Sequence, residues 1–173
     1  IYKRRTIRSF RNIPIEEEKL TQLIEAAIHA PSGTNRQGWY FLKIVDQETK
    51  DKLVQMGGGR IIRRAPTGLM VFYKVETLNV YYHDDFQSAA AAIQNIFLTA
   101  YELGIGGAWV CQLPPPWELR RMFNAPRGYR PIAYLALGYP KNVDPKKLKR
   151  PGKIKSVEDH VGVNMLGAVP MTL

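Results

Sequence analysis

The segment from Phe86 to Leu103 constrains the fold of this chain more than any other. Its alanines and its Ile93, Ile96 and Phe97 surround the axis of a predicted helix instead of forming one stripe. A helix that is apolar on nearly all sides is buried, and Gly104 is a typical stop signal after it. In a chain of 173 residues, that burial must come from the core of one domain or from an oligomer interface.

Helical and extended patterns surround this segment without strict alternation. The acidic run at 16–18 suits the start of a first helix. Its apolar face is expected to comprise Leu20, Leu23, Ile24, Ala27 and Ile28. Two further helices are predicted over 49–56 and 117–123, and four strands over 39–45, 68–75, 107–112 and 132–137. This irregular order favours an α+β sandwich.

Composition narrows the class of protein. The net charge is +10, which suits nucleic acid or small anionic ligands. No helix-turn-helix, zinc-finger or aromatic RNA-binding pattern accompanies it, so we favour small ligands. Cys111 is expected to be a buried structural thiol within a strand. No apolar run reaches the ~18 residues that span a membrane. No signal peptide is visible, and we expect a cytoplasmic protein. Because the chain begins with Ile1 rather than Met, we expect a piece to precede it.

Two polar motifs carry the candidate chemistry. Residues 4–10 read Arg-Arg-Thr-Ile-Arg-Ser-Phe, and guanidinium forks with short hydroxyls bind phosphate. Residues 30–41 read Ala-Pro-Ser-Gly-Thr-Asn-Arg-Gln-Gly-Trp-Tyr-Phe, which is turn chemistry leading into a strand. The amides of Asn35 and Gln37 both donate and accept, which suits the edge of a flat heterocycle. Taken singly, the motifs are better explained by a solvated basic terminus and an ordinary polar loop.

Taken together, the two motifs resemble those of the nitroreductase family of flavin enzymes. That family carries Arg-Arg-Ser/Thr-x-Arg-x-Phe near its start and Pro-Ser-x-x-Asn-x-Gln-Pro-Trp after its second helix. Gly38 stands where the family usually has Pro. Weaker similarities at 87–96, 103–110 and 131–140 extend the resemblance over most of the chain.

The resemblance implies an α/β sandwich in which helices flank a central, mostly antiparallel sheet. It also implies an intertwined homodimer that holds FMN between its subunits. Residues 1–140 would form the FMN-binding domain. The basic arm at 141–173 would pack on the partner subunit.

The resemblance also implies roles for individual residues. Arg4 and Thr6 are expected at the FMN phosphate, and Arg8 at the N1/O2 edge of the ring, where a cation stabilises the reduced flavin. Arg5 is expected to contact the flavin as well. The partner subunit would present a loop comprising Pro31, Ser32, Gly33 and Asn35, with Gln37 as a neighbour.

Two further parts of the site follow from the resemblance less directly. Gln112 lies in the segment expected against the ring, although the family is richer in glycine there. Lys153 and Lys155 are expected to reach the phosphate from the arm. Arg150 is an alternative, and a solvated basic tail remains an equal interpretation.

The implied reaction needs no catalytic side chain. NAD(P)H would stack on the flavin and pass hydride to N5, and a nitroaromatic, quinone or similar small acceptor would then take its place. His29, His83 and His160 are far apart in sequence, and no metal-ligand or dinucleotide-binding motif is present. Two alternatives remain. One is a different flavin reaction on the same fold, such as dehalogenation or flavin fragmentation; the other is a basic nucleic-acid-binding module without activity.

Overall fold

The computed structural model describes residues 1–75 and 83–141 together with Lys147 and His160. The helices in this part of the chain are α1 (Glu17–Ile28), α2 (Gln47–Gln55), α3 (Ile61–Arg64), α4 (Asp84–Glu102) and α5 (Pro116–Met122). The strands are β1 (Trp39–Ile44), β2 (Thr67–Lys74), β3 (Gly106–Val110) and β4 (Tyr129–Gly138). The predicted α+β class is confirmed.

The strands form one antiparallel sheet in the order β1-β2-β4-β3. The two central strands are buried along most of their length, since apolar side chains from β2 and β4 fill both faces of the sheet. A sheet that is apolar on both faces must be covered on both faces. The expected central antiparallel sheet flanked by helices is therefore confirmed.

Helices cover the sheet in two layers with separate cores. The first core joins α1 and α4 to one face through residues such as Leu23, Ile93 and Ile96. The second joins the remaining helices to the other face through Leu53, Ile62 and Leu119. Both polar motifs adjoin the first layer in the chain order: one motif precedes α1, and the other connects α1 to β1.

The buried helix predicted from the sequence is α4. It starts two residues before Phe86, because Asp84 and Asp85 form its acidic first turn. Its buried side chains include Ala89, Ala92, Ile93, Ile96, Phe97 and Ala100. Phe86 itself is 44% exposed. No helix in the described part of the chain is long and apolar enough to cross a membrane.

One expectation about the first layer is wrong, and one helix was not predicted. Ile28 does not belong to the buried face of α1: it is exposed, because the face that meets the core follows Leu20, Leu23 and Ala27. The sequence also gave no indication of α3. This helix has only four residues, which is too short for a periodic pattern.

Candidate functional site

The first basic motif is held in an extended conformation along the start of β3. Thr6 forms a parallel bridge with Gly107, and the Ile7 amide donates to the Gly107 carbonyl over 2.9 Å. The Ile7 side chain is buried and crosses Gly106 so closely that a Cβ there would lie 2.7 Å from it. The motif is therefore fixed by backbone pairing and by a buried anchor.

The side chains on either side of that anchor remain available for a ligand. Thr6 and Arg8 are exposed and Arg4 is half-buried. Among the described residues, none of these three side chains has a hydrogen-bond or ion-pair partner. Extended backbone places alternate side chains on opposite faces, so Thr6 and Arg8 share the face away from Ile7. The result is a rigid segment with two unpaired guanidiniums and a hydroxyl, which suits an anion.

Arg5 behaves differently from its neighbours. Its Nη1 donates to the carbonyls of Tyr2 and Arg4, over 2.8 Å in each case. Its Nε is buried and lacks a partner within the described residues. The Nη1 group of Arg5 thus stabilises the backbone of the motif, whereas its Nε donor is left without a described partner.

The second motif forms a compact loop against the start of α4. The Gly33 amide donates to Ser88 Oγ over 3.1 Å, and Arg36 pairs with Asp84 at 3.0 Å. A Cβ at Gly33 would lie 2.7 Å from Asp84 Oδ2. Only glycine therefore allows the loop to approach the helix this closely without a shift.

The loop adopts an unusual backbone. Thr34, Asn35 and Gln37 have φ values of 51°, 56° and 52°. This left-handed region costs roughly 1–2 kcal/mol for an ordinary residue, so the surrounding contacts must enforce it. They include a hydrogen bond from the Gln37 amide to Ser32 Oγ and one from Gln37 Nε2 to Asn35 Oδ1, each 3.0 Å long. Strain of this kind is concentrated at functional sites.

The second motif contacts α4 directly, whereas the first motif is linked to this helix through β3. The loop meets Ser88, whereas a Cβ at Gly107, the bridge partner of Thr6, would touch Phe97. Nine residues separate Ser88 from Phe97, which corresponds to about 14 Å along a helix axis. The start of α4 therefore holds the loop, whereas β3 holds the first motif.

Gln112 follows β3 and packs on the connection between α2 and α3. Its Nε2 donates to the Gly57 carbonyl, and its own carbonyl accepts from the Gly59 amide over 2.9 Å. Cys111 is exposed, so the expectation of a buried thiol is wrong. Val110 is the last residue of β3 and points inward, and strand alternation turns the next side chain outward.

The remaining predicted site residues are either at least partly exposed to solvent or outside the residues that the structure describes. Pro31 is exposed and Ser32 is half-buried, both in the loop. Lys153, Lys155 and the alternative Arg150 lie outside the described residues. Most of the predicted arm at 141–173 does so too.

The sequence interpretation missed the supports of the loop. Asp84 and Ser88 hold its backbone in place, yet neither was expected there. Ser88 is a buried hydroxyl within an alanine-rich helix. A buried hydroxyl needs a hydrogen-bond partner. A serine at the start of an alanine-rich helix could therefore have indicated a contact with a neighbouring loop.

Most of the chain is similar in sequence to known proteins. The sequence profile of the nitroreductase family matches residues 1–57 and 54–139. A protein of Archaeoglobus fulgidus, provisionally named an NADH dehydrogenase/NAD(P)H nitroreductase, is 31% identical over 146 residues, which cover 82% of this chain and 84% of the relative. The 5,6-dimethylbenzimidazole synthase of Rhodospirillum rubrum is 28% identical over 171 residues, which cover 82% and 81%.

A solved structure supports the same assignment. The FMN-dependent nitroreductase of Clostridium difficile R20291 superposes with a TM-score of 0.71 at 26% identity, covering 87% of this chain and 96% of that one. The four-stranded antiparallel sheet, the two motifs fixed at its edges and the family profile over nearly all of residues 1–139 agree. The chain belongs to the nitroreductase family.

Proposed function

We propose that the protein is an FMN-dependent oxidoreductase that takes electrons from NAD(P)H. The observation that carries this proposal is the set of unpartnered side chains on the first motif. Arg4, Thr6 and Arg8 are displayed by a segment that is fixed to β3, and no described residue neutralises the two guanidiniums. The names of two relatives support the same choice, since one is an FMN-dependent nitroreductase and the other is provisionally named an NAD(P)H nitroreductase.

The donor set fits FMN. Two guanidiniums and a hydroxyl match a phosphate dianion and the N1/O2 edge of a flavin in charge and in hydrogen-bonding capacity. Bound FMN would supply two-electron transfer from the nicotinamide to an acceptor. The chain itself would hold the phosphate through Arg4 and Thr6 and would place the Arg8 cation where reduction adds negative charge.

The second motif supplies the complementary half of the site. Because α4 holds the loop whereas β3 holds the first motif, we propose that the two motifs of one chain are half-sites for different flavins. The loop at 31–37 then acts on the flavin bound by a second copy of the chain. The functional unit is then a homodimer with two shared sites. We propose further that Gln112 lies beside the ring and that Lys153 and Lys155 of the arm reach the phosphate.

The cofactor can be tested directly on the purified protein. We expect non-covalent FMN at one flavin per chain, released by heat and identified by chromatography. NADH or NADPH should bleach the flavin absorbance under anaerobic conditions, and a quinone or a nitroaromatic should restore it. Recovery of FAD, or absence of flavin after incubation with excess FMN, would contradict the proposal.

Mixed dimers test whether each site uses both chains. The homodimers of Arg4→Ala and of Asn35→Ala should each bind FMN poorly. A mixture of the two, after subunit exchange, should regain one intact site in each mixed dimer, because Arg4 of one chain then meets Asn35 of the other. Flavin content per dimer measures this gain, and the unmixed variants are the controls. A monomer that keeps its full flavin would overturn the shared-site proposal, as would exchange without recovery.

Flavin fragmentation is the second candidate reaction. The relative named 5,6-dimethylbenzimidazole synthase supports it, since that protein matches four fifths of this chain. The test is to incubate reduced enzyme with oxygen and to analyse the products. Unchanged FMN after many turnovers favours electron transfer to an external acceptor, whereas stoichiometric appearance of the benzimidazole favours the alternative.

A further inference from the structure

An open cleft of about 580 Å³ lies where α4, α5 and the start of β4 approach each other. Phe86 from the first turn of α4 and Trp117 from the first turn of α5 lie on its walls. Volumes of a few hundred cubic ångströms are typical of sites for small organic ligands. None of the residues assigned above to FMN lines this cleft among the described residues.

The cleft displays aromatic surface to solvent. Trp117 is 65% exposed and Phe86 is 44% exposed. Both rings could be buried against a flat ligand, and such contacts release water from large apolar faces. Stacking on these two side chains favours a planar ligand, but it does not select between a charged and a neutral one.

The charge comes from three arginines that line the cleft. Arg120 and Arg127 are exposed and have no side-chain partner among the described residues. Arg130 donates to the buried Asp85 over 2.6 Å and lies 5.1 Å from the centre of the Phe86 ring. The described lining residues include no aspartate or glutamate. Asp85 pairs with Arg130, and among the described residues Arg120 and Arg127 have no acidic partner.

We propose that this cleft binds a planar aromatic carboxylate. The ring packs on Trp117 and Phe86, and the carboxylate accepts hydrogen bonds from Arg120 and Arg127. Guanidinium and carboxylate groups match each other in shape as well as in charge. The proposal is independent of the flavin, because the cleft shares none of its described residues with the FMN half-sites.

Calorimetric titration of the intact protein with 2-naphthoate tests the charge requirement. The neutral 2-naphthalenemethanol has the same ring system and is the matched ligand. We expect the carboxylate to bind about tenfold more tightly than the alcohol, a difference that corresponds to roughly 1.4 kcal/mol. Equal affinities, or no binding of either ligand at millimolar concentration, would overturn the proposal.

Three variants locate the binding to this cleft. Arg120→Gln combined with Arg127→Gln should abolish the preference for the carboxylate and leave the alcohol unaffected. Trp117→Leu should weaken both ligands, because it removes the flat surface. Arg64→Gln is the control: Arg64 is an exposed arginine in a different cleft, beside Lys50 and Pro66. If Arg64→Gln weakens naphthoate as strongly as the double variant does, the effect is general electrostatics and the assignment fails.

Circular dichroism separates loss of binding from loss of fold, since all four substituted side chains are exposed. The titrations are repeated on protein stripped of flavin. Binding that persists in flavin-free protein and depends on Arg120 and Arg127 supports the cleft even if the proposed function is wrong. A carboxylate preference that disappears with the flavin overturns the cleft assignment and leaves the proposed function intact.

Discussion

Arg4→Ala is expected to weaken FMN binding by about ten- to a hundredfold while leaving the fold intact. A charge-assisted hydrogen bond to a phosphate contributes roughly 1.5–3 kcal/mol, and each 1.4 kcal/mol corresponds to a tenfold change in affinity. The Arg4 side chain has no partner among the described residues, so its removal leaves no protein group unsatisfied. The loss should therefore fall on the ligand. Titration of flavin fluorescence with the flavin-free protein measures it.

Lys3→Ala is the matched control for this experiment. Lys3 is an exposed cation in the same segment, but it lies outside the motif that resembles the family. Its removal changes the net charge by the same amount as Arg4→Ala does. Equal flavin affinities for Arg4→Ala and the parent would exclude Arg4 as a phosphate ligand. Equal losses in the two variants would point to long-range electrostatics instead of a direct contact.

Gly68→Ala is expected to destabilise the protein by about 3 kcal/mol, at the upper end of what overpacking of a core costs. An added Cβ would lie 1.8 Å from the Tyr134 hydroxyl oxygen and 2.2 Å from Cζ. Tyr134 is a residue of β4 that is completely buried in the core beneath the second helical layer. Its ring therefore has little room to move. Chemical denaturation monitored by circular dichroism gives the free energy of unfolding.

Second substitutions at Tyr134 test whether its overlap with the added Cβ causes the loss of stability. Tyr134→Leu in the Gly68→Ala background should restore part of the lost stability, because it removes the ring from the crowded space. Tyr134→Phe should restore less, since it removes the hydroxyl but leaves Cζ, 2.2 Å from the added Cβ. Gly57→Ala is the contrasting control: its Cβ would meet no atom within 4 Å, so only the positive φ of 102° is penalised. If Gly57→Ala costs as much as Gly68→Ala, steric overlap is not the reason.

The Tyr134 hydroxyl is itself a weak point of the core. It is buried without a hydrogen-bond partner among the described residues, and burial, followed by the charge of Asp46, raises the pKa of Tyr134 above its ordinary range. The group therefore stays neutral at any ordinary pH and contributes an unsatisfied polar atom. This explains why a close glycine is needed beside it: the hydroxyl occupies the space where the side chain of residue 68 would be.

Local sequence patterns predicted the elements but not their assembly. The buried character of α4 follows from the distribution of its apolar residues, and α1 and the four strands follow from periodicity. The strand order β1-β2-β4-β3 depends on pairings between distant residues, which no local pattern contains. The error at Cys111 arose from inferring burial from its apolar neighbours. Val110 ends β3 and is buried, and the alternation of side chains along a strand turns the next residue outward.

For the candidate site too, the local motifs were predictable but their arrangement in space was not. The motifs identified the chemically important side chains, and the resemblance supplied their roles. The left-handed backbone at Thr34 was not predictable, because a β-branched residue is a poor choice for positive φ. The loop is held by α4 and the first motif by β3, so different parts of the fold fix their positions. That placement is a property of the folded chain, and it is the reason for proposing a second subunit.

The anchoring of the first motif has a consequence for amide hydrogen exchange. The Ile7 and Arg11 amides donate to the carbonyls of Gly107 and Tyr139, and the Lys141 amide donates to Ser9. These bonds hold the segment against the start of β3 and against the residues that follow β4, with Ile7 and Phe10 as its buried side chains. Local opening of the segment would expose these amides and displace Arg4 and Arg8 at the same time. The exchange rates at these three amides therefore report how often the phosphate-binding segment leaves its place, and a bound anion should slow all three together.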